Sequence, residues 1–339
     1  FYYIMPKTTS TTGTLGAIAP PFWAYNLFVI IELLLRQKEY MKKLTRQYQE
    51  QYREKQFYNN SVLNGISKSV KLHDEINNPL SSTAACLNVM GYLNKNPGRI
   101  IPFFKIFGLI IDEVISFPKG ANIGGEIYDD EGPIIFEWIG PKISLLNEKG
   151  GSRGQNRTSV DAFLVAVVNG KISQLLIEWK FTESYNTENY FHKFGGLKGV
   201  ERLKRYTSVL TKQRNNDFPF NFKDEGSFGV NDFSYEPFYQ LFRMTILAKE
   251  MTPYKINDIN IEDYYIVHLV HSENSDLLTV NNNNLKYSPG IKINENIDFH
   301  ELWLSLLSDK EKRHFIYGYW NKAIPELNDT SKYFEERYM

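Results

Sequence analysis

The 339-residue chain is 42% hydrophobic and 15% aromatic, which excludes wholesale disorder and allows one large α/β domain with additions or two smaller ones. Its 39 basic and 39 acidic residues balance, so no global charge attracts a polyanion, and any nucleic-acid surface must come from local segregation of charge. The lone cysteine, Cys86, excludes an intramolecular disulfide and a cysteine-based zinc site, and fits a reducing cytoplasm.

Residues 15–35 are apolar except for Asn26, Glu32 and the Pro20-Pro21 pair. The run reaches membrane-spanning length only if the prolines and Glu32 are tolerated, so a membrane partner is disfavoured. Residues 1–40 are expected to be an N-terminal extension, either a weak membrane segment or a stretch upstream of a working protein that begins near Met41. Residues 32–55 have helical periodicity, with Tyr40, Leu44, Tyr48 and Tyr52 on one stripe, and residues 56–80 read as loop. SSTAACLNVMGYL (81–93) predicts a helix with a Ser cap. Pro102 is expected to open a second, apolar helix over FFKIFGLIIDEVI, ending near Phe117-Pro118. PIIFEWIG (133–140) alternates as a strand with Ile135, Glu137 and Ile139 on one side, where a buried carboxylate is costly unless paired or metal-bound.

The central stretch is TSVDAFLVAVVNGKISQLLIEWK (158–180). Two apolar runs flank Asn169-Gly170, a dipeptide that favours a two-residue type I′ hairpin turn because both residues tolerate positive φ. That turn makes Val168 face Lys171 and, counting back, sets Asp161 opposite Glu178. Alternation puts Glu178 and Lys180 on one face and Ile177 and Trp179 on the other. Opposed carboxylates repel, and a hard divalent cation between them, completed by water and phosphate oxygens, removes the objection. An exposed strand face laced by an ion pair is the bland alternative, and the apolar character of the other face argues against it.

Asp161 followed by Glu178-Trp179-Lys180 resembles the core signature of the PD-(D/E)XK nuclease superfamily. FEWIG (136–140), RGQNRTSVDAF (153–163), LLIEWKFTESY (175–185), ERLKRY (201–206) and EPFYQLFR (236–243) resemble, in that order, a bacterial restriction-endonuclease-like family within it. Val160 stands where the superfamily has a proline, which is not a ligand. The resemblance implies a restriction-endonuclease-like α/β fold: a central mixed sheet whose β-hairpin carries the site, flanked by helices, over a single domain 41–339 with helical additions. It implies Mg²⁺-dependent hydrolysis of phosphodiesters in double-stranded DNA, with Mn²⁺ able to substitute, in restriction or defence. Asp161, Glu178 and the Trp179 main-chain carbonyl would hold the metal, and Lys180 would act on the water or on developing charge. Superfamily members often draw a further acid from the helix before the first core strand, which nominates Glu113; Glu137 is preferred as the third acid.

The Gly-rich stretch 149–159 carries Arg153 and Arg157 into the Asp161 strand and suits a phosphate grip. Between Lys193 and Arg214 seven basic residues stand against Glu201 alone, a local segregation that a solvated helix face would equally explain. Within it Lys198, Arg202, Arg205 and Tyr206 are the nucleic-acid candidates, on a helix expected over 200–210. Arg202 and Tyr206 share a face and would serve as second shell, at the scissile phosphate, or as plain packing.

A helix from Glu236 with Phe238, Leu241, Phe242 and Thr245 at core spacing, a strand over 263–270 and an amphipathic helix over 299–308 follow. His268 and His271 have an odd spacing that sends them to opposite faces of a strand, which argues against a zinc pair. The aromatic tail is expected to cover a sheet edge. No serine triad, P-loop or dinucleotide fingerprint is placed, so no nucleotide cofactor is expected. Cutting of both strands would favour a homodimer. The competing class is a non-catalytic nucleic-acid-binding or assembly protein on the same fold, against which the intact Asp, Glu and Lys argue.

Overall fold

The Asn169-Gly170 turn closes as its sequence dictates, with φ of 49° and 71°, and the register it sets runs from Val168↔Lys171 to Ala162↔Ile177. The computed structural model describes residues 72, 76, 78–128, 131–150, 157–185, 192–214, 217–222 and 228–339, all within one compact unit, Gln51–Met339. The readings of residues 1–40 and 32–55, most of those of 56–80, and Arg153 therefore lie outside the described residues.

Six strands form the central sheet: β1 (Ile111–Ile115), β2 (Ile134–Trp138), β3 (Val160–Val168), β4 (Lys171–Lys180), β5 (Asp263–Val270) and β6 (Phe315–Tyr319). Both β1 and β2 pair antiparallel with one edge of β3, β2 against residues 160–164 and β1 against 165–168. On the other side β3 pairs antiparallel with β4, β4 parallel with β5, and β5 parallel with β6. The sheet is thus mixed, as expected, and a parallel β4–β5 pair requires a long crossover. Helices α2 (Gly196–Arg214) and α3 (Glu236–Glu250) supply it.

Alternation divides the core in two. Phe163, Val165 and Leu176 face a layer built on Tyr206, Phe238, Phe242 and, from α4 (Phe299–Leu306), Trp303. Ala162, Leu164, Ile177 and Trp179 face a layer built on α1 (Ser82–Lys95) and the C-terminal residues Trp320 and Phe334. By the same parity Asp161, Glu178 and Lys180 belong to the first face. On the second, Trp179 stacks on Trp320 with centroids 4.6 Å apart, and the Trp320 indole N–H donates to the Lys180 carbonyl at 2.9 Å, fixing the end of β4.

Two local readings are corrected. The apolar stretch after Pro102 is helical only over Ile100–Lys105; Gly108, at φ 78°, turns the chain, and the β-branched residues that follow form β1. Glu113 is therefore an exposed strand residue opposite Val167. It is six residues along β3 from Asp161, about 20 Å at strand rise, and cannot serve the site. In β2, Glu137 adopts φ 54°, so the alternation breaks there: Ile135 faces the first layer but Ile139 the second. Such a backbone costs roughly 1–3 kcal/mol. Trp138, stacked on Phe163 at 4.3 Å between centroids, occupies the first layer beyond the break. The strand β6, FIYGY, was not anticipated; its parallel pairing to β5, rather than a tail lying over it, forms that edge.

His268 of β5 lies on the first face, its Nδ1 3.0 Å from Nε2 of His300 on α4, while His271 Nε2 bonds the Tyr338 carbonyl at 2.7 Å. The two histidines therefore serve different partners. Burial, with His300 adding to it, holds His268 well below 6.5, and burial pushes His300 down to about 4 although Asp298 pulls the other way. The folded protein keeps both rings neutral where the unfolded chain takes up protons. Their contribution to stability is present above pH 6.5 and is lost as pH falls toward 4. Thermal unfolding from pH 8 to 4 should show the melting temperature falling across that window, with a shallower fall in His300→Gln; an equal slope in the variant would refute the assignment.

Candidate active site

At its C-terminal end β4 presents Glu178 and Lys180, both nearly fully buried, and the Lys180 ammonium lies 2.7 Å from Glu178 Oε1. One residue beyond the recorded β3–β4 ladder, the Asp161 carboxylate accepts the Trp179 N–H at 2.7 Å. The hairpin thus joins Asp161, Glu178 and Lys180 at one sheet end, as its turn register requires. The Trp179 carbonyl accepts from the Ser82 hydroxyl at 3.1 Å, which ties the strand to the first turn of α1.

These groups line a cleft of about 390 Å³, together with Leu80, Ser81, Ser82, Thr83, Thr182, Glu183, Tyr185 and Gln240. The α1 N-terminus is capped by Ser81, which accepts from the Ala84 N–H at 3.2 Å, and its first turn holds no acidic residue. Its positive dipole end therefore faces the cleft without a neutralising carboxylate of its own. The turn after β4 is held by Asn274, whose side-chain amide donates to the carbonyls of Phe181 and Glu183 at 3.1 and 3.0 Å. The Glu183 carboxylate accepts the Phe181 N–H at 2.8 Å.

Burial alone would lower the Lys180 ammonium, but Glu178, Tyr185, Glu183 and Asp161 together outweigh it, and the amine stays protonated well above its usual range. In that protonated state the amine can stabilise negative charge but cannot take a proton from water. The ammonium also sits 5.7 Å from the Tyr185 ring centroid. Burial raises the Tyr185 phenol well above its ordinary value, against the pull of Lys180, so its hydroxyl remains a donor.

The other sequence candidates are dispersed. Glu137 falls level with Asp161 across the β2–β3 pair, between Phe136↔Ala162 and Trp138↔Val160, but is buried and does not line the cleft. Among the described residues no three His, Cys, Asp or Glu side chains gather around a point where a metal would sit. Two carboxylates and a main-chain carbonyl remain, an oxygen-only donor set that fits Mg²⁺ completed by water and phosphate. Arg157 is buried and spent on structure: it donates to the carbonyls of Gly140 and Pro141 and pairs with Glu126 at 3.6 Å, fastening the chain that leaves β2. Tyr206 is fully buried, its hydroxyl 3.1 Å from that of Tyr239 and 3.3 Å from Glu148, so it packs α2 and cannot stack on a base. Lys198 is exposed and Arg205 half-buried on α2, which runs longer than expected, and neither lines the cleft. Ser82, Thr83 and Gln240 escaped the sequence reading because a helix cap is legible but its aim at a distant strand is not.

A family model described as restriction endonuclease associating with ARP matches residues 18–339, from upstream of Met41 to the end of the chain. The chain belongs to that family. No curated protein and no solved structure matches it. The family's description supports a restriction-endonuclease-like, nuclease-like character for the chain.

The buried Glu178–Lys180 pair gives a stability test. Lys180→Met leaves the Glu178 carboxylate without its cation and should cost about 3 kcal/mol, whereas the double variant Glu178→Gln/Lys180→Met should recover most of it. Urea unfolding of the three proteins measures this, and equal stability of the single and double variants would show that the pair is not coupled.

Proposed function

We propose that the protein is a Mg²⁺-dependent endonuclease of the PD-(D/E)XK type that hydrolyses DNA phosphodiester bonds, acting in restriction or defence within a reducing cytoplasm, where buried Cys86 stays a thiol. The observation that carries the reading is the joining of Asp161, Glu178 and Lys180 on one face of the hairpin, at the mouth of a cleft also lined by the α1 N-terminus. Asp161, Glu178 and the Trp179 carbonyl would hold the metal. When bound, such a cation supplies Lewis acidity and a water of lowered pKa.

The chain's own residues set the rest of the chemistry. Ser82 orients the Trp179 carbonyl, and the Trp179 N–H fixes the Asp161 carboxylate. The Lys180 ammonium, held at Glu178, stands ready to offset charge as it develops on the phosphoryl oxygens. The open N–H groups of the first turn of α1 suit the same oxyanion. The family's description links its members to a partner, ARP, and we infer that this chain shares the association.

Supercoiled plasmid incubated with the protein should be cut in Mg²⁺ and spared in chelator. Asp161→Asn, which keeps an acceptor for the Trp179 N–H, and the folded double variant Glu178→Gln/Lys180→Met should each lose at least about 10²–10³-fold in rate. Folded wild-type protein that binds DNA yet cuts none in Mg²⁺ or Mn²⁺ would replace this reading with that of a binding or assembly protein.

A further inference from the structure

Beside the carboxylate cleft, one cation of α2 and one of α3 flank a single aromatic ring, and Lys193, just before α2, adjoins them. The guanidinium of Arg243 lies 4.6 Å from the Tyr239 ring centroid and that of Arg202 lies 5.9 Å from it. Arg202 donates to the Lys193 carbonyl at 2.7 Å, and the Lys193 ammonium reaches Glu236 at the start of α3. Among the described residues, Glu236 is the carboxylate in salt-bridge contact with this group, through Lys193. The nearby Glu148 is engaged elsewhere: it accepts from the Thr158 N–H and hydroxyl, both at 2.7 Å, and from Tyr206.

Arg243 is the residue that stands out. Among the described residues it makes no ion pair, and its buried Nε has no acceptor, although a guanidinium carries five N–H donors. Glu148 and Glu178 act on the half-buried guanidinium electrostatically without contacting it, so among the described residues its donors lack a contacting carboxylate and suit an arriving anion. The mutual repulsion registers on Lys193, which burial, then Arg202 and Arg243, lower to about 8. Bidentate geometry and resistance to deprotonation make Arg the side chain that suits a phosphate oxyanion. Position agrees, because Gln240, one turn before Arg243 on α3, lines the carboxylate cleft, and the Glu178 carboxylate acts electrostatically on Arg243.

We propose that Arg243, with Arg202 and Lys193, forms a second anion subsite that holds a non-scissile backbone phosphate of the polynucleotide whose scissile phosphate lies at Asp161 and Glu178. The proposal rests on the nuclease reading for the identity of its ligand. The subsite positions the strand and takes no part in bond cleavage.

Binding of a fluorescent DNA duplex of roughly 20 base pairs to the full chain, in chelator and between about 50 and 200 mM salt, tests it. Arg243→Gln should weaken binding about tenfold and reduce the slope of log affinity against log salt by about 1. Arg202→Gln should act in the same direction, Arg243→Lys should restore the slope, and Lys119→Gln, which removes an exposed unpaired cation elsewhere, should change neither quantity. Melting curves verify that each variant is folded. Affinity and slope in folded Arg243→Gln equal to those of Lys119→Gln, or no duplex binding by the wild type, would overturn the subsite. Plasmid cutting separates the two claims: loss of binding in Arg243→Gln by a wild type that never cuts retains the subsite and removes the nuclease, whereas a cutting wild type with unaffected Arg243→Gln does the reverse.

Discussion

Everything at the site depends on the register of one hairpin. Because Asn169 and Gly170 both accept positive φ, the turn takes two residues and no more, and the strands cannot slide. A slip of one residue would turn Asp161 to the opposite face from Glu178 and Lys180 and drive Trp179 out of its stack on Trp320. The polar group and the apolar group therefore enforce each other: the same register that brings the charges together buries Leu175, Ile177 and Trp179 on the other face. Apolar burial is worth roughly 1.5–3 kcal/mol per large side chain, so the hydrophobic face holds the charged face in place.

The cost of the arrangement is visible across the sheet. Register places Glu137, Asp161, Glu178, His268 and Tyr317 on neighbouring strands in one row. Each member needs its own remedy. Asp161 takes a main-chain N–H, Glu178 takes the Lys180 ammonium, and His268 shares a proton position with His300. Glu137 departs from strand geometry altogether, with φ of 54°. A core selected for stability alone would not contain this row, and two of its members, Asp161 and Glu178, line the cleft.

The hairpin, its register, the helices beginning at Ser82 and Glu236 and the strand over 263–270 were all legible, because each rests on local chemistry: a turn dipeptide, a Ser cap, a core-spaced stripe, an apolar run. What was illegible depended on partners distant in sequence. The stretch after Pro102 is apolar enough for either helix or strand, and the backbone reversal at Gly108 decides between them. Arg157 sits in a Gly-rich stretch and looks like a phosphate grip, but two carbonyls and Glu126 claim it. Conversely nothing local singles out Arg243, and only folding sets it against Tyr239 beside Arg202 and Lys193. Sequence identifies which cations exist; the fold decides which are already spoken for.

That distinction separates two kinds of positive charge around the hairpin. Lys180 is compensated by Glu178 at 2.7 Å, so its charge is local and its influence reaches only what enters the cleft. Among the described residues the cluster of Arg202, Arg243 and Lys193 has three cations against a single contacting carboxylate, Glu236. The crossover that makes β4 and β5 parallel includes the two helices that carry Arg202 and Arg243, so the connection required by sheet topology also sets these cations next to the cleft carboxylates. In a chain whose total charge is zero, any attraction for a polyanion would have to come from such local packing of like charges, since the summed field offers none.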